Sequence, residues 1–172
     1  MAGLIVEESG LTPDNLPYYI IVDETLGTRN GYVGVFKNHP YYKKHYTHGL
    51  LEIEDYEQSI EYNISVHGGI TYSGFLQTEI IGADNPYYFG FDCGHLGDGK
   101  ISPDDMDLII ADTKLDDKTK QRLKNSYRST HSLFAKYGVL NFNSPNEKVR
   151  SKEYVREECF KLSSQLIKLE DI

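Results

Sequence analysis

Two periodicities divide the chain: the first part alternates, and the last third steps at helical spacing. The plainest alternation is Ile60-Glu61-Tyr62-Asn63-Ile64-Ser65-Val66-His67. Ile60, Tyr62, Ile64 and Val66 fall on one face, and Glu61, Asn63, Ser65 and His67 on the other. A period of two predicts a half-buried β-strand. Gly68-Gly69 then predicts a tight turn with positive φ, and Ile70-Thr71-Tyr72-Ser73-Gly74-Phe75 is expected to return as the partner strand. Tyr87 to Cys93 predicts a central strand, with Tyr87, Phe89, Phe91 and Cys93 on one side and Tyr88, Gly90 and Asp92 on the other. Upstream, Tyr18–Val22 and Gly31–Phe36 predict two short strands that pair antiparallel across a loop from Asp23 to Asn30. Residues 1–16 show no clear period beyond a turn at Thr12-Pro13-Asp14-Asn15.

Helical signals begin at Ser102-Pro103-Asp104-Asp105, where Ser caps, Pro takes the first turn and the acids suit the positive end of the dipole. Met106 to Ala111 completes a short helix, Leu115-Asp116-Asp117 restarts one, and Leu123, Tyr127, Phe134 and Tyr137 continue it up to a stop at Gly138. Ser144-Pro145-Asn146-Glu147 reads as a capping box for the last helix, along which Val155, Cys159, Leu162, Leu166 and Leu169 form one apolar stripe. Arg150 and Lys152 then stand near a helix start, where the dipole favours acids instead. Strands first and helices last predict one α+β domain over residues 1–172, a mostly antiparallel sheet from the N-terminal two-thirds covered by two to three C-terminal helices.

Net charge is −8, which excludes broad attraction to nucleic acid or an anionic membrane surface. No apolar run approaches the roughly 20 residues needed to span a bilayer. No secretion signal stands at Met1–Glu8, and two cysteines make no disulfide framework, so a reducing cytoplasm is expected. Fourteen tyrosines supply flat apolar faces with polar tips, suited to ring stacking as well as to an ordinary half-buried sheet.

Chemistry-bearing side chains concentrate at two glycine-punctuated corners. The first is His67-Gly68-Gly69, with the hydroxyls of Thr71, Tyr72 and Ser73 following. Turn N–H groups of this kind can cradle an anion. The second is Asp92-Cys93-Gly94-His95-Leu96-Gly97-Asp98. His67, Asp92, Cys93, His95 and Asp98 include enough ligand types for zinc or another divalent ion, but no HExxH or paired CxxC accompanies them. Cys93 as a nucleophile needs a depressed pKa, and its place on the aromatic face argues for a buried thiol. His95 as a base oriented by Asp92 or Asp98 is a further option. Neither GxxxxGK[ST] nor a strand-linked GxGxxG is present. A loop rich in Lys, His and Tyr, Lys37 to His48, is either a phosphate- and ring-binding patch or a solvated loop with anchoring tyrosines.

Three words, His67-Gly68-Gly69-Ile70-Thr71-Tyr72-Ser73-Gly74, Gly90-Phe91-Asp92-Cys93-Gly94-His95-Leu96-Gly97-Asp98 and Glu153-Tyr154-Val155-Arg156-Glu157-Glu158-Cys159, resemble a family of small proteins encoded by bacteriophages and prophages. The opening Gly31–Pro40 is similar too, and the resemblance runs from about residue 31 to 166, with 99–142 the more variable stretch. Tryptophans often precede the family's GFDC word; Tyr87-Tyr88 stand here, which keeps stacking and alters pocket size. The resemblance implies a phage protein in a bacterial host cytoplasm and assigns neither an activity nor catalytic residues.

The expected function is non-catalytic: an oligomeric binder that sequesters a cyclic-nucleotide or ADP-ribose-derived immune signal and so counters host defence, by analogy with other small phage proteins. His67, Gly68 and Gly69 are expected at the phosphate or ribose, with Thr71 and Ser73 as hydroxyl donors. Tyr72 and Tyr88 are expected to stack, Asp92, His95 and Asp98 to read polar edges, and Arg150 to meet a phosphate. No motif implies a cofactor, and whether a metal binds is left open. The alternatives are a metal-assisted or histidine-based hydrolase of a nucleotide or phosphoester, centred on His67, Asp92, His95 and Asp98, and a protein–protein inhibitor of a host factor using the tyrosine-rich surface and the last helix.

Overall fold

The computed structural model describes residues 4–47, 59–77, 85–137 and 146–170. Five antiparallel strands form one sheet: β1 (Ile5–Leu11), β2 (Pro17–Val22), β3 (Arg29–Val35), β4 (Tyr72–Gly74) and β5 (Tyr87–Asp92), in the order β1-β2-β3-β5-β4. A one-turn helix, α1 (Ile60–Asn63), precedes β4, and α2 (Pro103–Asp112), α3 (Asp117–Tyr137) and α4 (Lys152–Glu170) follow β5. The architecture is α+β, a sheet from the N-terminal part with helices from the C-terminal part. Among the described residues, no helix is long and apolar enough to cross a membrane.

The apolar stripe of α4 explains its seat. Val155, Cys159, Leu162, Leu166 and Leu169 are all buried, against Ile20, Val33, Phe89 and Phe91 of the sheet. Burying each leucine contributes about 1.5–3 kcal/mol. The helix sits so close to β3 that a Cβ on Gly31 would lie 2.8 Å from Cys159 Sγ and 2.4 Å from the Phe91 ring. A second apolar cluster, Ile5, Val22, Ile101, Met106, Ile110, Leu123 and Tyr127, holds α2 and α3 against the β1 end. Ser102 caps α2 as expected, accepting the Asp105 N–H, with Pro103 in the first turn.

Three expectations are corrected. Residues 60–67 are not a strand. Ser59 accepts the Tyr62 N–H and starts α1, which ends on extended backbone at Ile64, and residues 64–66 join no strand. The alternation is real there, since Ile64 and Val66 are buried and Ser65 is exposed. The backbone, however, bonds to side chains of α4: Gln165 takes the N–H and C=O of Ser65, and Glu158 takes the N–H of His67. Residues 72–74 therefore pair with β5, as a strand in register with Gly90, Phe89 and Tyr88, and not with 60–67. The last helix starts at Lys152, with the Ser151 hydroxyl accepting the Tyr154 N–H, so Arg150 precedes the helix. Ser144 and Pro145 of the expected capping box, like the expected stop at Gly138 and His48 of the Lys/His/Tyr loop, lie outside the described residues.

The strand β1 was not expected. It is an edge strand, largely polar, and its acids are tied inward: Glu7 binds Arg29 through two N–H···O bonds of 2.6 and 2.8 Å, and Glu8 accepts Tyr18 Oη–H (2.6 Å) and Arg156 Nε–H (2.6 Å). The Arg156 bond, helped by Tyr18 and opposed by burial, holds the Glu8 carboxyl below its ordinary value of 4.5. A carboxylate depressed in the fold binds more protons when unfolded, so its stabilising effect is present above that value and lost as pH falls through the folded pKa. Urea unfolding from about pH 6 down to about pH 3 should therefore show a steeper loss of stability in the wild type than in Glu8→Gln. Parallel curves would show that Glu8 does not carry this dependence.

Candidate functional site

The two glycine corners meet. At the first, Gly68 and Gly69 take φ of +67° and +86°, and the Gly69 N–H closes the turn on Val66 O at 3.0 Å. At the second, β5 ends at Asp92, whose carboxylate accepts the Gly94 N–H (3.0 Å), and the Asp98 N–H returns to His95 O (2.9 Å). The His95 ring lies directly under Gly68. A Cβ at Gly68 would come within 2.0 Å of His95 Cε1, so only glycine, in a left-handed conformation, leaves the ring its place.

Asp98 is the hub. It is 4% exposed. One oxygen, Oδ2, accepts His67 Nε2–H at 2.7 Å and the His95 backbone N–H at 3.0 Å, while Oδ1 accepts Arg150 Nε–H at 2.7 Å. Burial alone would raise this carboxyl; the bonds from Arg150, His67 and the His95 N–H outweigh it and hold the group below the ordinary aspartate range. His67 Nε2–H faces the ionised Asp98, and Nδ1 lies 3.0 Å from Tyr154 Oη, in a bond whose direction follows the ring's tautomer. Burial chiefly raises the pKa of the Tyr154 hydroxyl, so it stays protonated and able to donate or accept.

Arg150 reaches Asp98 because residues 148–150 run beside the second corner. Lys148 pairs in parallel with Asp98, through Gly99 N–H to Lys148 O (2.8 Å) and Lys148 N–H to Gly97 O (3.0 Å). Arg29 fastens the same segment, donating Nη1–H to Arg150 O at 2.8 Å. The Arg150 guanidinium also lies 5.0 Å from the Tyr154 ring centroid. Its Nη1 and Nη2 engage no described residue.

His95 is the second incompletely engaged group. Its Nδ1 is buried and has no hydrogen-bond partner, although Asp92 Oδ2 and Asp98 Oδ2 stand 3.7 and 3.9 Å away. Its ring centroid is 5.6 Å from that of His67. Asp92 itself is half exposed.

Of the residues singled out in the sequence, His67, Gly68, Asp92, His95, Asp98 and Arg150 come together here, with Gly69 beside them in the turn. Tyr72, Ser73 and Tyr88 lie elsewhere along β4 and β5. Tyr88 is buried and meets Tyr19 edge to face, Tyr72 meets Tyr32 the same way and donates to Phe75 O, and Ser73 Oγ accepts the Tyr46 N–H. Thr71 is exposed and uses its N–H on Gly90 O. Cys93 is buried, with its thiol pushed up to about 12 by desolvation and the neighbouring Asp98 and Asp92 carboxylates, which removes it as a nucleophile or ready ligand. In the Lys/His/Tyr loop, His39 is buried and bonded to Leu166 O, and Lys43 and Lys44 cover the loop's own Tyr42 and Tyr41 rings. A groove of about 200 Å³ between β1 and α2 shares no residue with the corner.

Sequence reading missed Tyr154, Glu158 and Arg29, the residues that fix His67 and Arg150. Tyr154 and Glu158 are four apart on α4, so one helix face presents both to the His67 turn; that spacing was a usable signal. Arg29 carried none. No family model, curated protein or solved structure matches the chain.

Proposed function

We propose that this corner binds the phosphoryl end of a small nucleotide-type ligand and holds it uncut. The observation that supports the reading best is Arg150. Its Nε is fixed on a buried carboxylate and its Cζ lies over the Tyr154 ring, while the two terminal nitrogens engage no described residue. A guanidinium immobilised in this way is a preformed two-pronged donor for phosphate oxygens, with little ordering entropy left to lose. The His95 ring flanks the same carboxylate. A net charge of −8 disfavours long nucleic acids and leaves a compact ligand as the natural partner. The resemblance to phage proteins supplies the setting: a homo-oligomeric sponge in the bacterial host cytoplasm, sequestering a cyclic-nucleotide or ADP-ribose-derived immune signal.

The test is retention. The purified protein is incubated with cyclic nucleotides and ADP-ribose derivatives, desalted and heated, and the released material is identified by mass spectrometry. Intact ligand is expected. Arg150→Lys keeps the charge on Asp98 but loses the fork, and retention should weaken about 10- to 100-fold, as for loss of one charge-assisted bond. No retention of any phosphorylated ligand, or equal retention by Arg150→Lys, would refute the reading. A second reading, phosphoester hydrolysis, is favoured by one observation, the convergence of His67, His95 and Asp98. Release of a cleaved product in the same experiment would select it.

A further inference from the structure

We propose that His67, His95 and Asp98 bind one divalent transition-metal ion, zinc by preference, through His67 Nε2, His95 Nδ1 and Asp98 Oδ2. The proposal rests on the phosphoryl-ligand reading for the ion's role, which is to share the bound phosphoryl oxygens with Arg150; the site itself stands on geometry.

One ligand atom from each of the three residues lies within 4.8 Å of the others. Zinc bonds of about 2.0–2.2 Å in a tetrahedron place neighbouring ligand atoms roughly 3.3–3.6 Å apart. His95 Nδ1 is 3.9 Å from Asp98 Oδ2, close to that spacing. His67 Nε2 is nearer, at 2.7 Å from the same oxygen, because a proton lies between them. Exchanging that proton for an ion requires this edge to open by less than about 1 Å, and the neutral ring then carries its own proton on Nδ1 and donates it to Tyr154 Oη. Asp92 Oδ2 lies 3.7 Å from His95 Nδ1, beside the same ring.

Two independent features point the same way. His95 Nδ1 is buried yet unbonded, with two carboxylate oxygens just beyond hydrogen-bond range. A buried nitrogen without a partner is costly unless something else occupies its lone pair. The outer contacts are also those a metal site requires. Tyr154 Oη holds His67 at its other ring nitrogen (3.0 Å), Arg150 holds Asp98 at its other oxygen (2.7 Å), and Gly68, having no side chain, leaves the His95 ring its place. Two imidazoles and a carboxylate select zinc, cobalt or a similar ion over magnesium or calcium, which prefer all-oxygen sites.

The experiment is a zinc chloride titration of untagged, chelator-treated full-length chain by calorimetry, repeated with cobalt(II) and read by visible absorption. One ion per chain at micromolar affinity or better is expected, with the strong d–d bands of a four-coordinate cobalt site. His95→Ala should weaken binding at least about 100-fold, more than the 10- to 100-fold typical of losing an outer-shell partner. That variant is the safe one for folding, because the His95 side chain is 38% exposed; His67→Ala is the companion, checked by circular dichroism. Binding no tighter than millimolar, equal binding by wild type and His95→Ala, or equal affinity for magnesium would overturn the assignment. No phosphorylated ligand is present in the titration, so its failure leaves the Arg150 retention result standing. Failed retention by chelated and zinc-loaded protein alike would in turn leave the ion standing.

Discussion

Asp98→Ala should lower the free energy of unfolding by about 3–5 kcal/mol, the usual cost of breaking a buried ion pair from one side. The substitution strips an acceptor from three donors at once: His67 Nε2–H, Arg150 Nε–H and the His95 N–H. Arg150 is 27% exposed and can turn partly to water, which trims the loss; His67, at 12%, is far less free to do so. An internal contrast isolates burial as the cause. Asp104 meets Arg128 at the same 2.7 Å separation, but its side chain is 89% exposed. Asp104→Ala should therefore change stability by no more than about 0.5 kcal/mol. Chemical unfolding of both variants, with the slope against denaturant unchanged, is the measurement. Similar losses at the two positions would mean that Asp98 is not the hub its geometry describes.

That contrast bears on what could be read from the chain. Elements whose residues face one environment throughout were legible. β5 is buried along nearly its whole length, and the stripe of α4 has a single period with every member buried. β1 was not legible because an edge strand carries polar residues whose partners, Arg29 and Arg156, lie 22 and 148 residues away. The stretch 60–67 misled for a different reason. Alternation reports which side chains are buried, not what the backbone bonds to. Here the bonds run to Glu158 and Gln165 on α4, so an extended segment needs no neighbouring strand.

The site shows the same division. The identity of its polar groups and the freedom of its turns were visible in His67-Gly68-Gly69 and in Asp92 to Asp98. The partners that aim them were not, since Tyr154 and Glu158 sit on a helix read only for its apolar stripe. Tyr88 and Tyr72, expected to stack on a ligand, pack edge to face on other tyrosines of the sheet, away from the two corners. The proposed chemistry therefore rests on fewer residues, held more rigidly, than the sequence suggested.

Gly68→Ala and Gly69→Ala should separate positioning from backbone strain. Both positions have positive φ, and a Cβ in the left-handed region costs roughly 1–2 kcal/mol in either case. Only one of them meets anything: the added atom at 68 lies 2.0 Å from His95 Cε1 and 2.4 Å from Nδ1, whereas at 69 nothing lies within 4 Å. The His95 ring, part exposed, escapes by rotating outward, so Gly68→Ala should melt close to Gly69→Ala. Its zinc affinity, though, should fall about 100-fold, since a ligand leaves the set, while Gly69→Ala stays within about threefold of wild type. Melting curves and zinc titrations of the pair decide it. Equal affinity losses would place the effect in the turn's backbone; unchanged affinity in both would show that the position of His95 is irrelevant to the ion, and with it the reason a side chain is excluded beneath this turn.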